Sequence, residues 1–309
     1  MNSLIEQIRE EAVQDLLRIK AFKKDWKKRS SYLRSKLPPD GKISSRSLME
    51  LGQHLSPVFQ LQGAKDRSQG SLSSGGSVWE AMVVWYLNLC LVGTRAVCLR
   101  GGTLCPQPVK DALSILHENT VLRSEPDVLI ISSELLKSAP RVDRRADILP
   151  IANAIVGDHF SSLGIINIQC KTNWNDNAQT PMLWNMLYNQ ARKGAVIPNG
   201  FNIGRQGFSL MNLGHFGYAF ATVPTQTKGP DGYKPTALEV LRVKSMTAGN
   251  YWGHPTKASV CSCLSELFTF FTRNRLVFPN VADIGVHAAD AMNKKIEGQY
   301  DSEKLLFPV

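Results

Sequence analysis

Gly164-Ile165-Ile166-Asn167-Ile168-Gln169-Cys170-Lys171-Thr172-Asn173-Trp174-Asn175-Asp176 is the stretch on which the reading of the whole chain turns. It opens with a short apolar run rich in β-branched residues, long enough for a buried strand and too short for a helix. Gln169 and Lys171 stand two positions apart at the end of that run, so on a strand they project from one face. A carboxamide and a lysine side by side on a buried strand are costly unless they bind something. Upstream, Glu125-Pro126-Asp127-Val128-Leu129-Ile130-Ile131 sets an acidic residue at the mouth of a second apolar strand. A carboxylate at one strand end, facing an acceptor and a lysine on the next, suits a divalent cation held beside a phosphodiester.

The pieces Pro126-Asp127 and Gln169-Cys170-Lys171 resemble the PD-(D/E)xK nuclease motif, in the variant where Gln replaces the second acid. The flanking order is similar as well: a helix carrying Glu80, a strand, the Asp127 strand, the Lys171 strand, then a helix. The resemblance covers residues 75–225, with an insertion over 133–162 between the two halves of the motif. It implies an α/β fold, a mixed central sheet flanked by helices (a restriction-endonuclease-like core), behind a helical N-terminal segment. Residues 1–74 would be that basic segment and a linker, and 75–309 the catalytic core with its recognition insertions.

The same resemblance implies a type II restriction endonuclease that hydrolyses duplex DNA at a specific, palindromic site with Mg²⁺, acting as a homodimer. Asp127 would ligate the ion with the Gln169 side-chain oxygen and the Cys170 backbone carbonyl. Lys171 would hold or help deprotonate the attacking water. Glu80 has two readings: it favours the positive end of its helix, or it faces the metal site and supplies the charge that Gln169 lacks. Asp158 rivals Asp127 as metal carboxylate because it lies closer in sequence to Lys171; Asp127 is preferred for its place at a strand edge. Two alternatives stand beside the restriction reading, a structure-selective or repair nuclease of the same superfamily and a basic DNA-binding protein with a degenerate nuclease core.

The charge balance agrees with a polyanionic partner. The net charge is +10 over 309 residues and the isoelectric point is near 9.4. Much of the excess sits in one place. Residues 3–36 carry Leu4, Ile8, Val13, Leu16, Leu17, Ile19 and Phe22 at helical spacing, which predicts one long helix ended by Pro38-Pro39-Asp40-Gly41. Its second half bears Arg18, Lys20, Lys23, Lys24, Lys27, Lys28, Arg29, Arg34 and Lys36 against Asp25. Such a cluster is a solvated face or a phosphate-binding one; its concentration favours phosphate contact through counterion release, which gives affinity without sequence choice.

Residues 63–76, rich in Gly and Ser, predict a loop or linker. Ser77 then caps an almost wholly apolar helix to Cys90 in which Glu80 is the one charge. Ala96–Leu99 predicts a strand, 109–117 a helix, 216–223 and 238–243 strands, and 260–273 and 283–296 helices. After Lys171, Asn173, Asn175, Asn177 and Gln179 read either as a turn or as amides that contact adenine or phosphate at a helix start. The Gly-rich interval 194–216, with Arg205 and Gln206, predicts an irregular loop where base contacts would be sought.

Other chemistries lack their signatures. The six histidines show no HxH or HExxH spacing and the six cysteines no CxxC pair, which argues against zinc. Walker A and G-x-S-x-G patterns are absent, so neither a nucleotide cofactor nor a serine hydrolase is implied. The N-terminus lacks a signal-peptide layout and the chain an 18-residue apolar run, so a cytoplasmic protein away from membranes is expected. Buried thiols would suit that reducing compartment.

Overall fold

The computed structural model describes residues 3–39, 42–60, 69–118, 120–123, 126–172, 179–197, 200–223, 249–252, 263–272 and 277–296. In chain order its elements are α1 (Leu4–Leu16), α2 (Lys20–Arg34), α3 (Ser45–Glu50), α4 (Leu55–Gln60), α5 (Gln69–Leu91), β1 (Ala96–Arg100), α6 (Gln107–Leu113), β2 (Ile115–His117) and β3 (Thr120–Arg123). Then come β4 (Val128–Ser132), α7 (Glu134–Ser138), α8 (Arg145–Asp158), β5 (Gly164–Lys171), α9 (Gln179–Arg192), β6 (Phe201–Ile203), β7 (His215–Thr222), β8 (Gly249–Trp252), α10 (Phe268–Phe271) and α11 (Val286–Ile296).

A mixed five-stranded sheet, ordered β1-β4-β5-β7-β8, forms the centre, flanked by helices; β3-β2-β6 form a separate small three-stranded sheet. The β1–β4 and β4–β5 pairs are antiparallel, and the β5–β7 and β7–β8 pairs are parallel. The two faces of the sheet bury different sets of side chains, as strand alternation requires. On one face Cys98, Val128, Ile130, Ile166, Ile168, Cys170, Ala219 and Ala221 pack with α5. Trp79 of α5 fixes that docking by donating its indole N–H to the Ala221 carbonyl at 2.9 Å. On the other, Val97, Leu99, Leu129, Ile131, Ile165, Tyr218 and Phe220 pack with α1, α6, α8 and α9. Both faces being covered explains why β5 reads as a continuous apolar run.

Several boundaries differ from the sequence expectation. The predicted helix over 3–36 is two helices, with extended backbone at Ile19. Leu4, Ile5 and Ile8 belong to the core on one sheet face and Phe22, Trp26 and Leu33 to the core on the other. The crossing begins within α1, whose Val13 and Leu16 already belong to the second core, and the turn at Ile19 carries α2 onto that side. The Gly/Ser-rich interval is helical from Gln69 onward, so Ser77 lies inside α5 instead of capping it. Once the buried half of a helix is formed, each further residue adds a hydrogen bond, and that outweighs weak local propensity. Residues 63–68 of that interval lie outside the described residues.

The helix expected over 109–117 ends at Leu113, and 115–117 is β2. The 133–162 interval is ordered as α7 and α8. Two of its arginines are occupied by α1: Arg141 bonds Glu10, and Arg145 lies 2.9 Å from Glu11 and 2.7 Å from Asp15. The 194–216 interval contains β6 and a 3-10 turn at Leu210–Asn212. The strand expected over 238–243 lies outside the described residues. Cys90, Cys98, Cys105 and Cys170 are buried, and Cys261 is outside the described residues. Among the described residues no helix is long and apolar enough to cross a membrane.

Candidate active site

Strand directions gather the candidate residues. Because β5 and β7 are parallel, Lys171 and Thr222 end their strands at the same edge of the sheet. Because β4 and β1 run against their neighbours in turn, Asp127 just precedes β4 at that edge and Arg100 closes β1 there, Arg100 pairing in register with Val128. Asp158 ends α8 near the start of β5, the opposite edge; an eight-residue strand puts that about 23 Å from Lys171. The structure thus brings Asp127, and not Asp158, to Lys171.

Asp127 Oδ2 accepts hydrogen bonds from the Gln169 Nε2 amide and from the Cys170 backbone N–H, the latter at 3.0 Å. The Lys171 ammonium lies 4.0 Å from the same oxygen. Pro126 has a specific effect here. Extending the Val128–Ile168 register by two steps sets Pro126 opposite Cys170, and proline has no N–H to offer the ladder. The Cys170 N–H points to the β4 side, while the Lys171 carbonyl points the other way and accepts from Val223 N–H at 2.8 Å. The Cys170 carbonyl therefore faces the Asp127 side at a place where the ladder supplies no donor.

Gln169 is almost fully buried. Sequence reading set its side-chain oxygen beside Asp127; the structure turns the amide nitrogen that way. The oxygen accepts from the Tyr218 hydroxyl at 3.3 Å, and that hydroxyl also lies 3.2 Å from the Pro181 carbonyl. A phenol has one proton and can also accept. If the amide turned over, the phenol could donate to Pro181 and accept from Gln169, so Tyr218 can satisfy either orientation of the amide.

Cys170 offers only its backbone. Burial, with Asp127 and Glu80 nearby, pushes its thiol well above the ordinary range, so the sulfur stays protonated. Glu80 approaches from α5 and accepts from Arg100 Nε at 3.0 Å. Its carboxyl is raised from the ordinary 4.5, first by burial and then by the negative charge of Asp127, with Arg100 opposing both. Glu80 and Asp127 therefore share one electrostatic neighbourhood. A carboxyl raised in the folded state binds its proton more tightly there than in the unfolded chain. Its contribution thus favours folding below about pH 4.5 and is lost as pH rises through the raised value. Glu80→Gln should flatten that limb, as denaturant unfolding of both proteins from pH 4 to pH 7 would show.

Arg100, Tyr218 and Thr222 belong to this edge and were not singled out by the sequence. Arg100 was within reach, as the first charge after an apolar strand. Tyr218 and Thr222 carry no signal of their own, because both are common in buried strands.

The predicted nucleic-acid residues fall into separate groups. On α2, Lys20, Lys23, Lys24, Lys27 and Lys28 are exposed along one side, while Phe22, Trp26, Arg29 and Leu33 are buried on the other. Arg29 is thereby removed from the expected surface cluster; it turns inward, 3.7 Å from Asp25. A cleft of about 40 Å³ lined by Ala12, Asp15, Leu16, Ile19, Arg100 and Thr103 sets the α1–α2 junction against Arg100. The lysine helix therefore begins at the edge that holds Asp127. Arg205 is elsewhere: its Nε donates to Asp111 at 2.7 Å, tying its loop to α6. Gln206 is exposed beside it in the left-handed region, φ 54°. The neighbouring Phe208 packs on Phe160, ring centroids 5.1 Å apart, just ahead of the start of β5. Both residues thus belong nearer the far edge than the Asp127 edge. Asn173, Asn175 and Asn177 lie outside the described residues; Gln179 opens α9, its side chain likewise undescribed.

Among the described residues no cluster of three His, Cys, Asp or Glu side chains is arranged to hold a metal ion. A cation here would draw on two carboxylates and backbone or amide oxygens, a hard-oxygen set suited to Mg²⁺ with several retained waters. No protein-family model matches the chain, and no curated protein sequence matches it.

Proposed function

We propose that this chain is a divalent-metal-dependent nuclease of duplex DNA, with the Asp127–Lys171 edge as its active site. One observation carries the reading. Asp127, the Cys170 carbonyl and Lys171 converge at a strand edge where Pro126 withholds a ladder donor. The order helix with Glu80, strand, Asp127 strand, Lys171 strand, helix, packed on one mixed sheet, supports a restriction-endonuclease-like core.

Asp127 and the Cys170 carbonyl would hold Mg²⁺, with the Gln169 oxygen available after an amide turn that Tyr218 permits. Glu80 supplies the second negative charge of the site, and Arg100 screens it while no cation is bound. The ion would supply an activated water and charge stabilisation on the phosphate. Lys171 orients that water and offsets charge developing on the phosphate oxygens. The finer form of the proposal is a type II restriction endonuclease, cytoplasmic and homodimeric, whose two-fold symmetry would match a palindromic site.

A second reading is favoured by one feature. The Gln169 amide nitrogen, not its oxygen, faces Asp127, which suits a DNA-binding protein with a degenerate core. Cleavage of unmethylated plasmid or phage DNA in Mg²⁺, with an EDTA control, separates these. Discrete bands lost in EDTA support the site-specific nuclease, and a smear lost in EDTA the structure-selective or repair branch. Intact DNA that still shifts in a gel would leave the binding protein.

The α2 lysines give an independent prediction. Changing Lys23, Lys24, Lys27 and Lys28 to Gln should reduce the slope of log affinity against log salt by about 0.9 per lost phosphate contact. Affinity should fall alike on all duplex sequences, with the single-turnover rate at saturating DNA unchanged. Binding titrations at several salt concentrations check it; an unaltered slope would return the cluster to a solvated face.

A further inference from the structure

Lys171 and a cation at Asp127 cannot share one place. The ammonium lies 4.0 Å from the oxygen of Asp127 that would take the ion, and two positive charges at one carboxylate repel each other strongly in a partly buried site. When the cation arrives, the ammonium needs somewhere else to go.

The neighbouring strand offers a seat. Thr222 is the register partner of Lys171 across the parallel β5–β7 pair. Register partners project from one face, and Tyr218, Phe220 and Thr222 alternate onto it. Thr222 is fully buried, and its Oγ1 has no hydrogen-bond partner among the described residues. A buried hydroxyl left in that state opposes folding, and a partner in another state of the site would offset that cost. Paired strands lie about 5 Å apart, well within the span of a lysine's four-carbon stem.

We propose that Thr222 is the second seat of Lys171: its hydroxyl accepts the ammonium when a divalent cation occupies Asp127. Thr222 is then a positioning residue, acting through Lys171 without touching the reacting atoms. This rests on the metal-site reading above. Asn167 is also buried, with both amide atoms lacking partners among the described residues. It lies four residues before Lys171, too deep along β5 to serve the strand edge.

A double-mutant cycle on cation affinity tests the seat without reference to cleavage. Mn²⁺, which takes the same oxygen ligands and gives a clear calorimetric signal, is titrated into the full chain without DNA. The proteins are wild type, Thr222→Val, Lys171→Met and the double variant. Thr222→Val should weaken Mn²⁺ binding about tenfold when Lys171 is present and leave it unchanged when residue 171 is Met. Thr222→Ser should bind as the wild type does. Thr222→Val should melt no lower than wild type, since an isosteric methyl replaces an unsatisfied hydroxyl; if it does not fold, Thr222→Ala takes its place in the cycle. An equal effect in both backgrounds, or none in either, overturns the seat and leaves the metal site standing. Failure of the wild type to bind any Mn²⁺ overturns both.

Discussion

Lys171→Ala is expected to lower the single-turnover rate of DNA cleavage by roughly a thousandfold, the scale of losing one charge-stabilising group from an active site. The protein should stay folded. Lys171 is partly exposed at the edge of the sheet, and its removal leaves Asp127 with the Gln169 and Cys170 donors still in place. DNA affinity should change little, because the exposed α2 lysines carry the phosphate contacts in this reading. Asp127→Asn is the matching test from the other side of the pair. Its oxygen can accept from the Cys170 N–H, but the lost charge removes the principal ligand for the cation, so the variant should show both weak Mn²⁺ binding and a similar loss of rate. Rapid-quench cleavage with unaltered gel shifts measures the two effects apart. If Lys171→Ala cleaves like the wild type, the centre lies elsewhere in the chain, whatever metal dependence the protein shows.

The quoted stretch showed its strand directly, since a short β-branched run is hard to place otherwise, and the alternation that set Gln169 and Lys171 on one face survives in the structure. What the spacing could not show was orientation within a residue. Both ends of the Gln169 amide are compatible with the sequence, and it is the Asp127 carboxylate, an acceptor forty-two positions away, that draws the nitrogen end. Arg29 makes a different point. Its burial was legible, because positions 22, 26, 29 and 33 follow helical spacing, but counting charges along α2 without following that spacing concealed it. The pairing of Arg205 had no local cue: nothing near it announces that Asp111 is its partner. The Gly/Ser run before Val78 read as linker because propensity is local, while the packing of Trp79 and Trp85 that sustains α5 is not.

The largest loss of stability is expected from a pair that sequence inspection passed over. Glu6 and Arg9 sit one helical turn apart in α1, a spacing normally worth a few tenths of a kcal/mol at a surface. Here both are buried. Arg9 holds the two Glu6 oxygens at 3.0 and 3.1 Å, the Asn88 oxygen of α5 at 3.2 Å and the Ala96 carbonyl of β1 at 2.8 Å. Asn88 in turn exchanges two hydrogen bonds with the Cys98 backbone, and Glu6 accepts from Gly93 N–H. One guanidinium thus joins the N-terminal helix to the buried helix and to the edge strand of the central sheet.

Arg9→Ala should cost about 3–5 kcal/mol, most of it from leaving Glu6 buried without its counter-charge. The pH dependence identifies that cause. In the native protein burial alone would raise the Glu6 carboxyl, but Arg9, joined by the Gly93 N–H and the chain's N-terminal charge, outweighs it and the group is held below its ordinary 4.5. A lowered carboxyl contributes stability above the unfolded value and loses it as pH falls through the folded one. Without Arg9 the burial effect remains and the sign reverses, so the variant's deficit should be larger at pH 7 than at pH 4.5. Adding Glu6→Gln to Arg9→Ala should recover much of the loss at neutral pH, because the uncompensated charge is gone. Denaturant unfolding of the three proteins at both pH values is the measurement. A deficit equal at the two pH values would mean that Arg9 acts through packing and its bonds to Asn88 and Ala96, and that the charge of Glu6 is immaterial.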